Sequence, residues 1–494
     1  MGLVIAACGD DDDGGDSTEA PAETEAAAEE EEAPAETEAA EEEAPAETEA
    51  MEEEEPADTE AMAEEEEGAS GEALALEGDV EIAAGTVLNL GECPDDWDPY
   101  QGVDGDEIRL GQSLPQSGQL AAFGAIGEGM QMWFDYINDT DPIDGRDLVL
   151  VMKDDGYEAG RAVANVEEML DTEDIFSFVH LIGTPINFAA RPITDEACVG
   201  QLFNSTGFPW WGDPANYPWT VGNILNYVTE TNIWCDAIVE ENGEGATVAA
   251  LIMNNDFGKT YQQTLQQCAS DGKIEIVEEQ LHDPAAPDVT NEMTTIIGSN
   301  ADVFIAGTTA AFCPQTVGAV AGSEWRPTYY MSYTCNNLAS FFTPVQDLAG
   351  QLADEGSGVR MTNSNKVCGD PVYADDPAVQ EIEQVLDEYG GVTCADGSYS
   401  TGVYYGQMVT QLLKDTVDNY GELNRVNLMA ALWNSTQTND MLLGGQLQLD
   451  GVNDAYWTEA AQIQEVVVAD GALSFNPVSD VVDQEGQGGS FEGG

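Results

Sequence analysis

The sequence predicts an α/β protein built from two doubly wound parallel-sheet lobes, preceded by an acidic N-terminal tether. Three features of the 494-residue chain carry this expectation. Strand-like apolar runs alternate with amphipathic helical windows from about Asp106 onward. The alternation restarts after Tyr217. The first 100 residues hold 37 Asp and Glu and no Lys or Arg.

At the N-terminus, Leu3-Val4-Ile5-Ala6-Ala7-Cys8-Gly9 runs from apolar to small residues and then cysteine, and the chain turns acidic directly afterwards. This resembles the lipobox of bacterial lipoproteins, which implies a lipid on Cys8. Only seven residues precede Cys8 and none is charged, so residues 1–8 read as a truncated signal, which a start assigned too late would explain. From Asp10 to about Gly68 the chain consists largely of Asp, Glu, Ala, Pro and Thr, with near-repeats at Ala20–Ala26, Ala33–Ala39 and Ala44–Ala50. These units contain almost no large apolar residue, so they cannot stack into a solenoid core. Like-charge repulsion and proline favour an extended spacer, and residues 9–104 are expected to be a mostly disordered linker. About 60 residues at full extension reach on the order of 200 Å.

In the body, Glu107–Ser113 reads as a strand, Phe123–Asn138 as a helix, Asp147–Lys153 as a strand and Ala159–Leu170 as a helix. Phe176–Leu181 and Val199–Phe203 follow as short strands. After Tyr217 come helix Tyr227–Glu241, strand Thr247–Met253, helix Gly258–Ala269, strand Ile274–Gln280 and helix Val289–Gly298. Strand Val303–Ala306, helix Pro314–Gly322 and strand Thr328–Ser332 complete the second series. Two such βα series imply parallel sheets covered on both faces, with ligands bound at the carboxyl ends of the strands.

The remaining 59 acids face all 12 basic residues, which leaves the body at about −47. Such a surface repels phosphate backbones, and no basic stripe exists to displace DNA counterions, so nucleic acid is excluded as a partner. With Cys8 set aside, eight cysteines remain: Cys93, Cys198, Cys235, Cys268, Cys313, Cys335, Cys368 and Cys394. An even number in an exported chain suggests disulfides, with buried free thiols as the alternative. Eight cysteines allow roughly a hundred pairings. Cys313 with Cys335 and Cys368 with Cys394 are preferred because each pair closes a short local loop. No CxxC and only two histidines, His180 and His282, argue against a metal site or a redox dithiol, and no cofactor is expected.

Several loops then carry a family resemblance. Ile108-Arg109-Leu110-Gly111 leads to Leu114-Pro115-Gln116-Ser117-Gly118-Gln119-Leu120-Ala121-Ala122-Phe123-Gly124. Ile143-Asp144-Gly145-Arg146, Lys153-Asp154-Asp155-Gly156-Tyr157 and Leu202-Phe203-Asn204-Ser205-Thr206-Gly207 follow. Asn254-Asn255-Asp256-Phe257-Gly258-Lys259 and Trp325-Arg326-Pro327-Thr328 complete the set. In this order and spacing they resemble the type I periplasmic solute-binding proteins of ABC importers, in the branched-chain amino-acid-binding branch. The resemblance implies a hinge crossed three times. One lobe would comprise 105–221 plus 355–437, the other 222–354 plus 438–480, with 481–494 a flexible tail. It also implies a lipid-anchored, extracytoplasmic subunit that closes on a small solute and is read by ABC permease subunits, the lipid being its membrane contact.

Candidate ligand-binding residues follow from the same loops. Ser117 can offer a hydroxyl at the cleft edge, and Phe123, on a helix with glycines on one side, an apolar wall. Gly183-Thr184-Pro185 begins a helix where free backbone N–H groups attract a carboxylate, and Ser205-Thr206-Gly207 offers a second such set. Phe257 would stack from the second lobe, while Thr308, Thr309 and Tyr333 sit at later strand ends. Trp210 and Trp211, just after the Ser-Thr-Gly loop, either enlarge an aromatic pocket or pack at an edge. Amino-acid binders place an acid near the last of these loops, whereas Tyr333-Thr334-Cys335 has none. A neutral amide, a short carboxylate or an aromatic acid therefore competes with leucine-like amino acids as ligand. No nucleophile elbow, HExxH or P-loop occurs, so an enzyme is not expected. A sensor subunit serving a separate signalling partner is the rival function.

Overall fold

The computed structural model describes residues 74–103 and 105–484. Cys8, residues 9–73 of the expected tether and the end of the expected tail lie outside the described residues.

The folded body begins earlier than the sequence suggests. Strands β1 (Asp79–Ala83) and β2 (Thr86–Asn89) form an antiparallel hairpin. Val80, Ile82, Leu88 and Leu90 bury into the core of the first lobe. The Asn434 side-chain amide donates to the Ile82 carbonyl at 2.7 Å, and Cys93 is bonded to Cys198. Residues 74–103 therefore belong to the body, which corrects the expected 9–104 linker. Their apolar alternation follows directly on an acid-rich stretch whose composition masks it.

The first lobe is a βα series: β3 (Glu107–Leu114), α1 (Gly124–Thr140), β4 (Asp147–Asp154), α2 (Ala159–Thr172), β5 (Ser177–Val179), α3 (Thr184–Glu196), β6 (Gln201–Asn204) and β7 (Thr220–Gly222). Its strands are all parallel in the order β4-β3-β5-β6-β7. After the first crossing come α4 (Tyr227–Asn242), β8 (Ala246–Met253), α5 (Asp256–Ser270), β9 (Ile274–His282), α6 (Thr290–Ser299), β10 (Val303–Gly307), α7 (Phe312–Ala321), β11 (Thr328–Met331), α8 (Gln346–Asp354) and β12 (Val359–Asn363). Strand β12 pairs in parallel with β11 through Tyr329 and Tyr330. The second crossing thus follows Asn363, and the expected boundary at 355 is corrected: Val359 and Met361 supply a buried strand to the second sheet.

The chain returns to the first lobe with α9 (Pro377–Val385), α10 (Tyr399–Tyr420), α11 (Arg425–Trp433) and the short pair β13 (Thr436–Gln437) and β14 (Leu447–Gln448). Leu447, Leu449 and Trp457 still pack in the first core, so the third crossing comes near 460 and not at 438. Strands β15 (Ala460–Ala469) and β16 (Ala472–Pro477) then close the second sheet in the order β16-β15-β12-β11-β10-β8-β9. Strand β17 (Val482–Asp483) pairs with β15, inside the segment expected to be tail. Both preferred cystines, Cys313–Cys335 and Cys368–Cys394, are present, together with Cys235–Cys268.

Strand order places the site. In the first sheet the chain leaves β3 for β4 on one side and then reaches β5 on the other, so loops after β3 and β5 diverge and leave a crevice at their carboxyl ends. The second sheet repeats the device with β8, β9 and β10.

Candidate functional site

Loops at both switch points line one cavity. The first lobe contributes Leu120 and Phe123 after β3, Tyr157 after β4, Ile182, Gly183 and Thr184 after β5, and Ser205 after β6. The second contributes Tyr227 on α4, Phe257 after β8, Thr309 after β10, Tyr333 and Thr334 after β11, and Asn365 after β12. Ser398, Thr401 and Tyr405 reach the cavity from the start of α10, and Asn336, Asn337 and Phe341 from the segment after Tyr333.

Of the residues expected from the sequence, Phe123, Gly183, Thr184, Ser205, Phe257, Thr309 and Tyr333 share this wall. Three do not line it. Ser117 donates its hydroxyl to Asp154 at 2.7 Å and fixes the loop after β3. Thr206 sits behind the wall, its hydroxyl 2.6 Å from that of Thr184. The Thr308 hydroxyl lies 2.8 Å from His282 Nε2. In each case a nearer polar partner takes up the hydroxyl that was expected to face the ligand. Trp211 is buried against Phe188 and Phe208, whereas Trp210 is more than a third exposed.

Two local features shape the wall. Gly183 caps α3 with a φ of 107°, and a Cβ there would meet the Tyr157 ring at 2.3 Å. Only glycine combines that left-handed backbone with the close ring. No side chain caps α3, and Pro185 has no N–H, so the amino end of this helix faces the cavity through Gly183 and Thr184. Beneath it, His180 stacks on Tyr405 with ring centroids 4.2 Å apart and planes within 2°. Burial pushes the His180 pKa down to about 3, so the imidazole is neutral. Its Nδ1 lies 3.4 Å from the Ser205 hydroxyl.

None of the 21 lining residues is Asp, Glu, Lys, Arg or His. Burial raises the phenols of Tyr157, Tyr227, Tyr333 and Tyr405, with Tyr333 at about 12, so all four are neutral donors. Thr309 is 3% exposed, and its hydroxyl has no protein partner. Just behind the wall, Glu230 is 0% exposed and carries the Tyr261 hydroxyl at 2.6 Å and the Tyr333 N–H at 2.7 Å. Burial pushes its pKa up to about 8, against those two hydrogen bonds.

The lobes also touch around the cavity. Leu120, carried by the first lobe, packs in the core of the second, and Gln119 donates to the Ala286 carbonyl at 2.7 Å. Phe123 meets Phe341 edge to face at 6.0 Å. This is a shut cleft. Sequence reasoning missed Tyr157 and Leu120 although both lie in recognised loops, and missed Asn365, Thr401 and Tyr405 because no element was assigned beyond Ser332.

The family described as periplasmic binding protein matches residues 107–472. No curated protein matches the sequence. Among solved structures, the chain is similar to a branched chain amino acid ABC transporter from Thermus thermophilus with bound valine, at TM-score 0.65 and 16% identity over 76% of this chain and 96% of that one. It is also similar to a possible leucine/isoleucine/valine-binding protein from Rhodopirellula baltica SH 1, at TM-score 0.63 and 18% identity over 76% and 97%. A third is an ABC transporter solute binding protein from R. palustris in complex with 4-hydroxybenzoate, at TM-score 0.61 and 17% identity over 76% and 97%. At such identities the likeness is one of fold.

Proposed function

Because the chain belongs to the periplasmic binding protein family, we propose that it is the solute-binding subunit of an ABC importer. It acts outside the cell, held to the membrane by a lipid on Cys8, and presents its closed form to the permease subunits. No helix among the described residues is long and apolar enough to cross a membrane. The observation that carries the proposal is the cavity between facing switch points, walled by both lobes and shut by contacts such as Leu120 and Gln119. A small solute that touches both walls binds the closed form better than the open one, and that difference drives closure.

A thermal-shift screen of the chain against amino acids, short carboxylates, amides and aromatic acids tests this. A ligand at a hundredfold its Kd stabilises the folded state by about 2.7 kcal/mol. At least one compound is expected to raise the melting temperature in a saturable way. Turnover of a compound with no stabilisation by any would refute solute capture.

A further inference from the structure

We infer that the ligand is a carboxylate without an amino group, with an aromatic or branched apolar body. This assignment rests on reading the cavity as the solute site. The wall holds no carboxylate to pair an ammonium, and the buried acids directly behind it, Glu230 and Asp155, are sealed from the cavity with their oxygens occupied, Glu230 by Tyr261 and the Tyr333 N–H and Asp155 by Ser113 and the Tyr157 N–H. An ammonium taken into this cleft would lose its water and gain no counter-charge, which disfavours amino acids.

A carboxylate finds donors on both sides. On one wall stands the uncapped amino end of α3, a 13-residue helix, with the Thr184 hydroxyl beside it. On the other is the Thr309 hydroxyl, buried and without a protein partner. Between them Phe257, Tyr227, Phe123 and Tyr405 supply ring surface for an apolar body. Aromatic rings also attract cations, but a cage for a quaternary ammonium would have the positive end of a helix in its wall. The exterior, though acidic, is screened beyond about 8 Å at physiological salt, so discrimination falls to the cleft.

Calorimetric titration of the full chain with matched pairs decides the matter. Leucine is compared with 4-methylpentanoate and phenylalanine with 3-phenylpropanoate, with 3-phenylpropanamide and choline alongside. In at least one pair the acid lacking the amine is expected to bind tenfold or more tightly than its amino acid, and 3-phenylpropanoate more tightly than its amide and than choline. Tighter or equal binding of an amino acid or of choline overturns the ligand class but leaves solute capture standing. Equal binding of acid and amide overturns the carboxylate. A chain that no solute of any class stabilises overturns capture, and the ligand class with it.

Discussion

Replacing Gly402 by alanine is expected to destabilise the protein by about 3 kcal/mol, the upper end of the usual cost of overpacking. Gly402 lies where α10 crosses α1, and a Cβ there would meet the Ile126 carbonyl oxygen at 1.9 Å and the Gly129 Cα at 2.9 Å. From the other helix, a Cβ on Gly129 would meet the Tyr399 carbonyl oxygen at 2.0 Å. Two backbones in contact cannot yield as a flexible side chain can, so the helices must separate and the apolar faces around Met130 and Val403 lose contact. The change reaches function as well as stability, because the same helix begins with Ser398, Thr401 and Tyr405 at the cavity. Urea denaturation measures the effect. Gly318→Ala provides the contrast, since open space surrounds its Cβ on α7 and a gain of about 0.5–1 kcal/mol is expected there. A Gly402→Ala variant as stable as the parent would show that the helices do not approach as described.

The second large effect is a pH dependence lodged in Glu230. Its pKa rises from the ordinary 4.5 to about 8 because burial penalises the charged form more than the hydrogen bonds from Tyr261, the Tyr333 N–H and Thr362 favour it. Between those two values the folded chain holds a proton that the unfolded chain has released. The stabilising contribution is therefore complete below about pH 4.5 and is lost as pH rises through about 8, a swing on the order of 5 kcal/mol. Glu230→Gln keeps the geometry: the amide oxygen accepts from Tyr333, and the amide nitrogen donates to Tyr261, which turns its own proton to Ser332, 2.8 Å away. The variant is expected to lose this slope and to gain on the parent steadily from pH 5 to pH 8. Burial also raises Asp155 and Asp195 to about 6, but both are present in the two proteins and cancel in the difference. Parallel stability curves for parent and variant would place the charge of Glu230 outside this window.

The regular βα series was legible in the sequence because each element there is long and strongly periodic. Helix α4 was expected at Tyr227–Glu241 and ends one residue later, and β8 starts one residue before the expected Thr247. What escaped were the elements that depend on distant partners. Strand β12 is five residues long and gains its identity only beside β11 and β15, so its segment was given to the wrong lobe. The β1–β2 hairpin was hidden by the acid run before it. At the site, loop position identified the strand-end residues but not the direction in which each side chain points. Thr308 and Thr309 are adjacent, yet one bonds to His282 and the other lines the cavity. Glu230 could not be found from sequence, since it reaches the back of Tyr333 across 103 residues of chain.

In the proposed function one solute is held by both lobes at once. Calorimetry of the best-bound ligand against Thr184→Val on the first lobe and Thr309→Val on the second tests this directly. Each change removes one hydroxyl without altering side-chain shape, and a hydrogen bond to a charged group is worth about 1.5–3 kcal/mol, so each variant is expected to bind roughly tenfold or more weakly. Because the Thr309 hydroxyl has no partner in the protein, that variant is also expected to melt, without ligand, no lower than the parent. Full affinity retained in both variants would contradict the cleft as the binding site.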